Sequence, residues 1–149
     1  MIQRIQSVYL LISALLTGSM FFVSLADLAN DDATYTLLYR GLANSEELTT
    51  QTLPLAILVT VTTLVSLVTI FLYKKRMLQI RLCGLNMGLL LGTTGMIYFL
   101  GSQAAKELSA EISYNIPMVF PIVALIITFL AIRSIGKDEA LIKSMDRIR

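Results

Sequence analysis

Residues 52–73 read TLPLAILVTVTTLVSLVTIFLY, twenty-two consecutive positions without a charged side chain. A bilayer core about 30 Å thick takes roughly 17–25 helical residues to cross, so this stretch suffices for one span. It does not alternate polar with apolar residues as a barrel strand does. A helix also pairs its backbone groups within itself, as lipid demands. Working outward, three more uncharged blocks follow the same pattern: Val8–Leu25, Leu82–Leu100 and Ile116–Ile132. With interfacial ends included, the predicted spans are 6–26, 52–73, 80–100 and 115–134. Outer loops then cover 27–51 and 101–114, and a tail covers 135–149. The expected fold class is an all-α membrane protein, a four-transmembrane-helix bundle forming a single domain over 1–149, with a small β-hairpin in the first outer loop.

Composition agrees. Of 149 residues, 56% are hydrophobic and 15% charged, whereas soluble domains average about 45–50% and 25%. Four spans with their loops and tail leave no room for a separate soluble domain. Arg4 and Ser24-Leu25-Ala26 give the first block some signal-peptide character. Its apolar run exceeds the roughly 7–15 residues of a signal core, so it is read as retained.

Short loops rich in Lys and Arg stay in the cytoplasm. Arg4 lies in the N-terminal stub, Lys74, Lys75, Arg76 and Arg81 between the second and third uncharged blocks, and Arg133, Lys137, Lys143, Arg147 and Arg149 beyond the fourth. These are ten of the twelve basic residues. Both termini are therefore expected in the cytoplasm. The cluster Lys74–Arg76 is read as a topology determinant ahead of an anionic-lipid site.

In the first outer loop, Tyr35, Leu37 and Tyr39 share one face of an expected strand. Gly41 and Asn44-Ser45 would turn the chain back, and Glu46–Thr50 would pair with it as a cap on the bundle. Gln103–Glu111 is expected to extend the third span as helix. In the tail, Leu141, Ile142, Met145 and Ile148 fall at helical spacing, and Glu139 and Lys143 suit an i,i+4 pair. A short amphipathic helix docked on the membrane, the bundle or a partner is expected.

The four uncharged blocks contain no Asp, Glu, Lys, Arg or His, which counts against a proton relay. The third carries Gly84, Gly88 and Gly92 at four-residue spacing, then Gly95. Such small-xxx-small stripes admit close helix contacts. Contact within the bundle is the first expectation, and self-association between chains the alternative. Ala14 and Gly18 form a lesser pair, and Asn86 is the most polar side chain within a span, read as a packing hydrogen bond. Pro121 is placed to kink the fourth span if the helix has already begun.

Catalytic signatures are missing. Cys83 has no second cysteine, no histidine base and no neighbour to make a metal site. No phosphate loop or nucleophile elbow occurs. The reading is of a non-enzyme without cofactor or metal and without nucleic-acid partners. A membrane enzyme would need acids at the outer surface such as Asp27, Asp31, Asp32, Glu107 and Glu111, but ordinary acidic loops look the same.

The opening Met1-Ile-Gln-Arg-Ile-Gln-Ser-Val-Tyr-Leu, the Leu78-Gln-Ile-Arg-Leu-Cys segment and the ending from Ile132 to Arg149 give the chain a family likeness. It resembles small four-span proteins from Bacteroidota catalogued as domain of unknown function 4293. The resemblance covers the whole length and implies a bacterial inner-membrane location, but no activity. Its recurring motifs, Gln3 and Arg4, Gln79 and Arg81, and Lys137 to Arg149, lie at the expected cytoplasmic face; with the basic loop they make Arg4, Lys74, Lys75, Arg76, Arg81, Asp138, Glu139 and Arg147 the cytoplasmic-face interaction candidates. Claudin-like proteins are similar in topology alone; the chain has no Trp and no paired cysteines, so nothing carries over.

The expected function is a structural or accessory subunit that packs with partner membrane proteins or with itself in the lipid bilayer. The alternative is a small oligomeric channel or transporter lined by Thr60, Thr63, Asn86 and Thr93. A membrane enzyme or lipid-binding protein is the third.

Overall fold

A computed structural model describes residues 3–30, 33–44, 47–73 and 75–146. Asp31, Asp32, Ser45, Glu46, Lys74, Arg147, Ile148 and Arg149 lie outside these residues, as do the side chains of Arg4 and Lys143. Four helices, α1 (Gln3–Ser19), α2 (Leu53–Phe71), α3 (Arg76–Leu108) and α4 (Phe120–Asp146), form the body. They pack in a ring: α1 touches α2 and α4, and α3 touches the same two. The start of α1, the α2–α3 junction and the end of α4 share one end of the bundle.

The buried positions explain the packing. They run Leu55, Val59, Thr62, Ser66, Thr69 on α2 and Gln79, Cys83, Asn86, Leu90, Thr93, Ile97 on α3. On α4 they run Pro121, Ala124, Thr128, Ala131, Ile135, Asp138, and on α1 Gln6, Leu10, Ser13, Thr17. Steps of four and three average 3.5 residues, the repeat that keeps a seam facing its partners in a left-handed bundle. The polarity of this seam is inverted relative to a water-soluble bundle. Hydroxyls and amides lie inside, while Leu15, Ile57, Leu64, Phe71, Leu91, Phe99, Ile126 and Phe129 are exposed.

Three helical segments are long and apolar enough to cross a membrane: Leu53–Phe71, Arg76–Leu108 and Ile116–Ile142. The expected first span over 6–26 is shorter in the structure. Helix α1 has 17 residues, about 26 Å at 1.5 Å per residue. The chain then turns through Met20–Phe22 and enters a strand at Ala26. Pro121 does not kink the fourth helix. Pro117 sits in a 3₁₀ turn over Ile116–Val119 and Pro121 is the second residue of α4, where no intrahelical N–H bond is lost. The tail is not a separate helix, because α4 continues to Asp146.

The end of the bundle opposite the termini carries more than a hairpin. Strands β1 (Ala26–Ala29), β2 (Thr34–Leu38), β3 (Gly41–Asn44), β4 (Glu47–Gln51) and β5 (Glu111–Tyr114) form one sheet in the order β4-β3-β2-β1-β5. All its pairings are antiparallel. A lone hairpin is marginal in water. Here β1 pairs with β2 on one side and with β5, from the segment between α3 and α4, on the other. Leu28 and Leu37 point to an apolar cluster with Leu42 and Ala104 of α3. Two side chains tie the sheet to the helices. Asn30 donates its amide to the Leu108 carbonyl at 2.7 Å, and Asn115 donates to Asp27 Oδ2 at 2.8 Å.

Helix α3 ends at Leu108, so the expected helix over 103–111 gives way to β5 in its last residue. Ser109 takes the left-handed conformation at φ 47°, which costs an L-residue about 1–2 kcal/mol. Ser109→Gly is therefore expected to stabilise the fold by about 1 kcal/mol, read as a raised thermal midpoint.

Gly101 is buried under β5. A Cβ there would stand 2.8 Å from Ile112 Cδ1 and 3.2 Å from the Tyr114 ring. The flexible Ile112 tip yields to a methyl group. Gly101→Leu does not fit, and is expected to cost about 1–3 kcal/mol by overpacking. The drop in thermal midpoint is the check.

Candidate functional site

Most polar groups of the seam are occupied by their own helices or by one another. Thr17, Thr62, Thr69, Thr93 and Thr128 each donate to a carbonyl one turn back in their own helix, at 2.6–3.0 Å. Thr60 and Thr63 do likewise, with the carbonyls of Ala56 and Val59. This is the usual escape for a hydroxyl in a helix. Links between helices are few and specific. Ser13 and Thr128 join α1 to α4 at 3.1 Å, Asn86 donates to Ser66 Oγ at 2.9 Å, and Gln79 donates to the Thr69 carbonyl at 3.3 Å. Asn86 is thus at the α2–α3 contact. Its Oδ1 and the Thr52 hydroxyl are the buried side-chain polar atoms without a partner among the described residues.

At the end that holds the termini, Gln6 donates its amide to Asp138 Oδ2 at 2.5 Å. Both residues are buried. This joins the opening motif to the closing one. Of the other candidates at this end, Lys75, the residue before α3, and Arg81 are exposed, while Arg76 and Glu139 are half-buried. The described residues of this group therefore share one end of the bundle, but only Asp138 is in its interior. No group of three His, Cys, Asp or Glu side chains among the described residues is placed to hold a metal ion.

The glycines of α3 are not inside. Gly84, Gly88, Gly92 and Gly95 are all exposed, and a Cβ built on any of them meets nothing within 4 Å. The expected contact within the bundle is therefore not made by this stripe. Gly88 and the buried Leu90 are two positions apart, about 200° around a helix of 3.6 residues per turn. The stripe thus runs along the side of α3 opposite its core face. In contrast, Ala14 is buried, and a Cβ on Gly18 would lie 3.9 Å from Thr63 Cγ2 of α2, an ordinary contact.

The sequence did carry a signal for the inward face. Gln79, Asn86 and Thr93 recur at intervals of seven, as do Gln6 and Ser13, and Thr62 and Thr69. That repeat marks a bundle seam. Gln6 and Gln79 stand in the stretches that carry the family likeness, and this repeat would have placed them on the inward face.

A family model described as Domain of unknown function (DUF4293) matches residues 2–148. No curated protein and no solved structure gives a significant match.

Proposed function

Because the chain belongs to this domain-of-unknown-function family, whose description carries no activity, we propose a role from the geometry: a non-catalytic accessory subunit of a bacterial inner membrane that packs with a partner membrane protein or a second copy of itself. The membrane part rests on the inverted polarity. Soluble monomers rarely expose contiguous apolar patches beyond a few hundred Å², whereas here apolar side chains cover the outside of all four helices. In this reading α1 completes a fourth crossing, somewhat short and helped by the apolar Met20–Val23. Both termini face the cytoplasm by the positive-inside rule, and the sheet caps the opposite side. The Bacteroidota origin belongs to the same proposal.

The observation that carries the accessory role is the outward glycine stripe. Hydrophobicity does not drive association in lipid; close backbone approach does, and small residues permit it. A stripe that serves no contact in its own bundle leaves α3 open to a helix from elsewhere. The pore reading has less support, since the hydroxylated candidates Thr60, Thr63 and Thr93 spend their protons on their own helices. Solubilising the tagged full chain from its membrane in a mild detergent and identifying what accompanies it tests the proposal. A stoichiometric membrane partner, or a defined homo-oligomer, is the expected result. A lone monomer across several mild detergents would refute it.

A further inference from the structure

We propose that the groove between α1 and α4, at the end holding the termini, is a site for an anionic phospholipid; this rests on the four-pass membrane reading above. The groove measures about 290 Å³ and is lined by Ile5 and Tyr9 of α1 and by Leu130, Arg133, Ser134 and Lys137 of α4. Its register follows from two hydrogen bonds, Gln6 with Asp138 and Ser13 with Thr128. These set Tyr9 level with Arg133 and Ser134, and Ile5 level with Lys137. Leu130 lies about one turn deeper toward the apolar centre of the bundle.

The lining divides by chemistry. Arg133 and Lys137 are one helical turn apart and share a face. Both are exposed, and neither makes an ion pair with a described residue. The acid next in sequence, Asp138, is buried against Gln6. Two cations with a serine hydroxyl and a phenol beside them suit a phosphodiester, which takes charge-assisted hydrogen bonds from guanidinium and ammonium groups. Leu130 and Ile5 offer apolar surface on which an acyl chain can lie. A second hollow of about 380 Å³ shares Lys137 and continues along α4 past Ala140 and Leu141. Cations alone would suit free phosphate equally well. The apolar walls, exposed toward the surroundings of the bundle, favour a lipid.

The test uses the full chain in mixed detergent micelles containing equal phosphatidylglycerol and phosphatidylcholine, with bound lipid counted by native mass spectrometry. Wild type is expected to retain phosphatidylglycerol preferentially. The preference should fall about fivefold for each charge removed in Arg133→Gln and Lys137→Gln, as expected of about 1 kcal/mol per basic residue. Removing Lys75 and Arg76, which lie at the same end but off the groove, should leave it intact. Circular dichroism of each variant confirms the fold. Equal retention of the two lipids, or a preference that survives Arg133→Gln/Lys137→Gln, overturns the site. Displacement of the lipid by added inorganic phosphate would make free phosphate the ligand and overturn the lipid assignment. A chain that is soluble and monodisperse without detergent would overturn the membrane reading, and the lipid site with it.

Discussion

Gly88→Leu should abolish recovery of the chain with the partner proposed above while leaving its own fold intact. Among the described residues outside its own turn of helix, nothing lies within 4 Å of a Cβ at Gly88, and the position is exposed, so a leucine there projects away from the core. Surface substitutions away from special features change stability by about 0.5 kcal/mol or less. A glycine in a helix interior is also disfavoured by about 1 kcal/mol relative to alanine, so the isolated chain should be unchanged or slightly more stable. A neighbouring helix sees the opposite. Close approach depends on the missing side chains, and a leucine at the middle of the stripe holds the two backbones apart. Co-purification falling to background with an unchanged thermal midpoint is the predicted pair of results. A loss of stability in the isolated chain would mean that the stripe faces its own core.

The second large effect concerns the two ends of the sequence. Gln6→Leu leaves a buried Asp138 carboxyl without its described hydrogen-bond donor, and a buried polar group so orphaned costs about 1–3 kcal/mol. Asp138→Leu orphans the Gln6 amide in the same way. Combining the two should restore most of the loss, because replacing both partners by apolar groups of similar shape can be nearly neutral. The cycle is read from thermal midpoints of the four proteins. Additive losses in the double variant would show that the two residues do not act through each other.

Much of the fold was legible because long uncharged runs leave a chain few alternatives to helix. Uncharged runs of helical length mark the candidate crossings, and those at 52–73, 80–100 and 115–134 fall on helices long and apolar enough to span. Other features depended on contacts far apart in sequence. Strand β5 pairs with β1 across more than eighty residues, and the short run Glu111–Tyr114 has no strand signal strong enough to outweigh a helical reading. The stop at Ser19 was hidden because Met20–Val23 remain apolar after the helix ends. The glycine stripe was visible, but its direction was not. Spacing says which residues share a face; the seven-residue recurrence of Gln79, Asn86 and Thr93 says which face is inward, and only the two together orient the helix. The Gln6–Asp138 pair joins residues 132 positions apart and had no local signature.

Photo-crosslinking in intact cells tests the outward face of α3 most directly. Leu91 is 64% exposed and lies seven residues from Gly84, on the same side as the stripe. Leu64 of α2 is 54% exposed and serves as the comparison on another helix. With a photoreactive amino acid at each position in turn, Leu91 is predicted to give a discrete protein adduct and Leu64 none. Absence of any protein adduct at Leu91, in cells where the full chain is folded and inserted, would contradict the account.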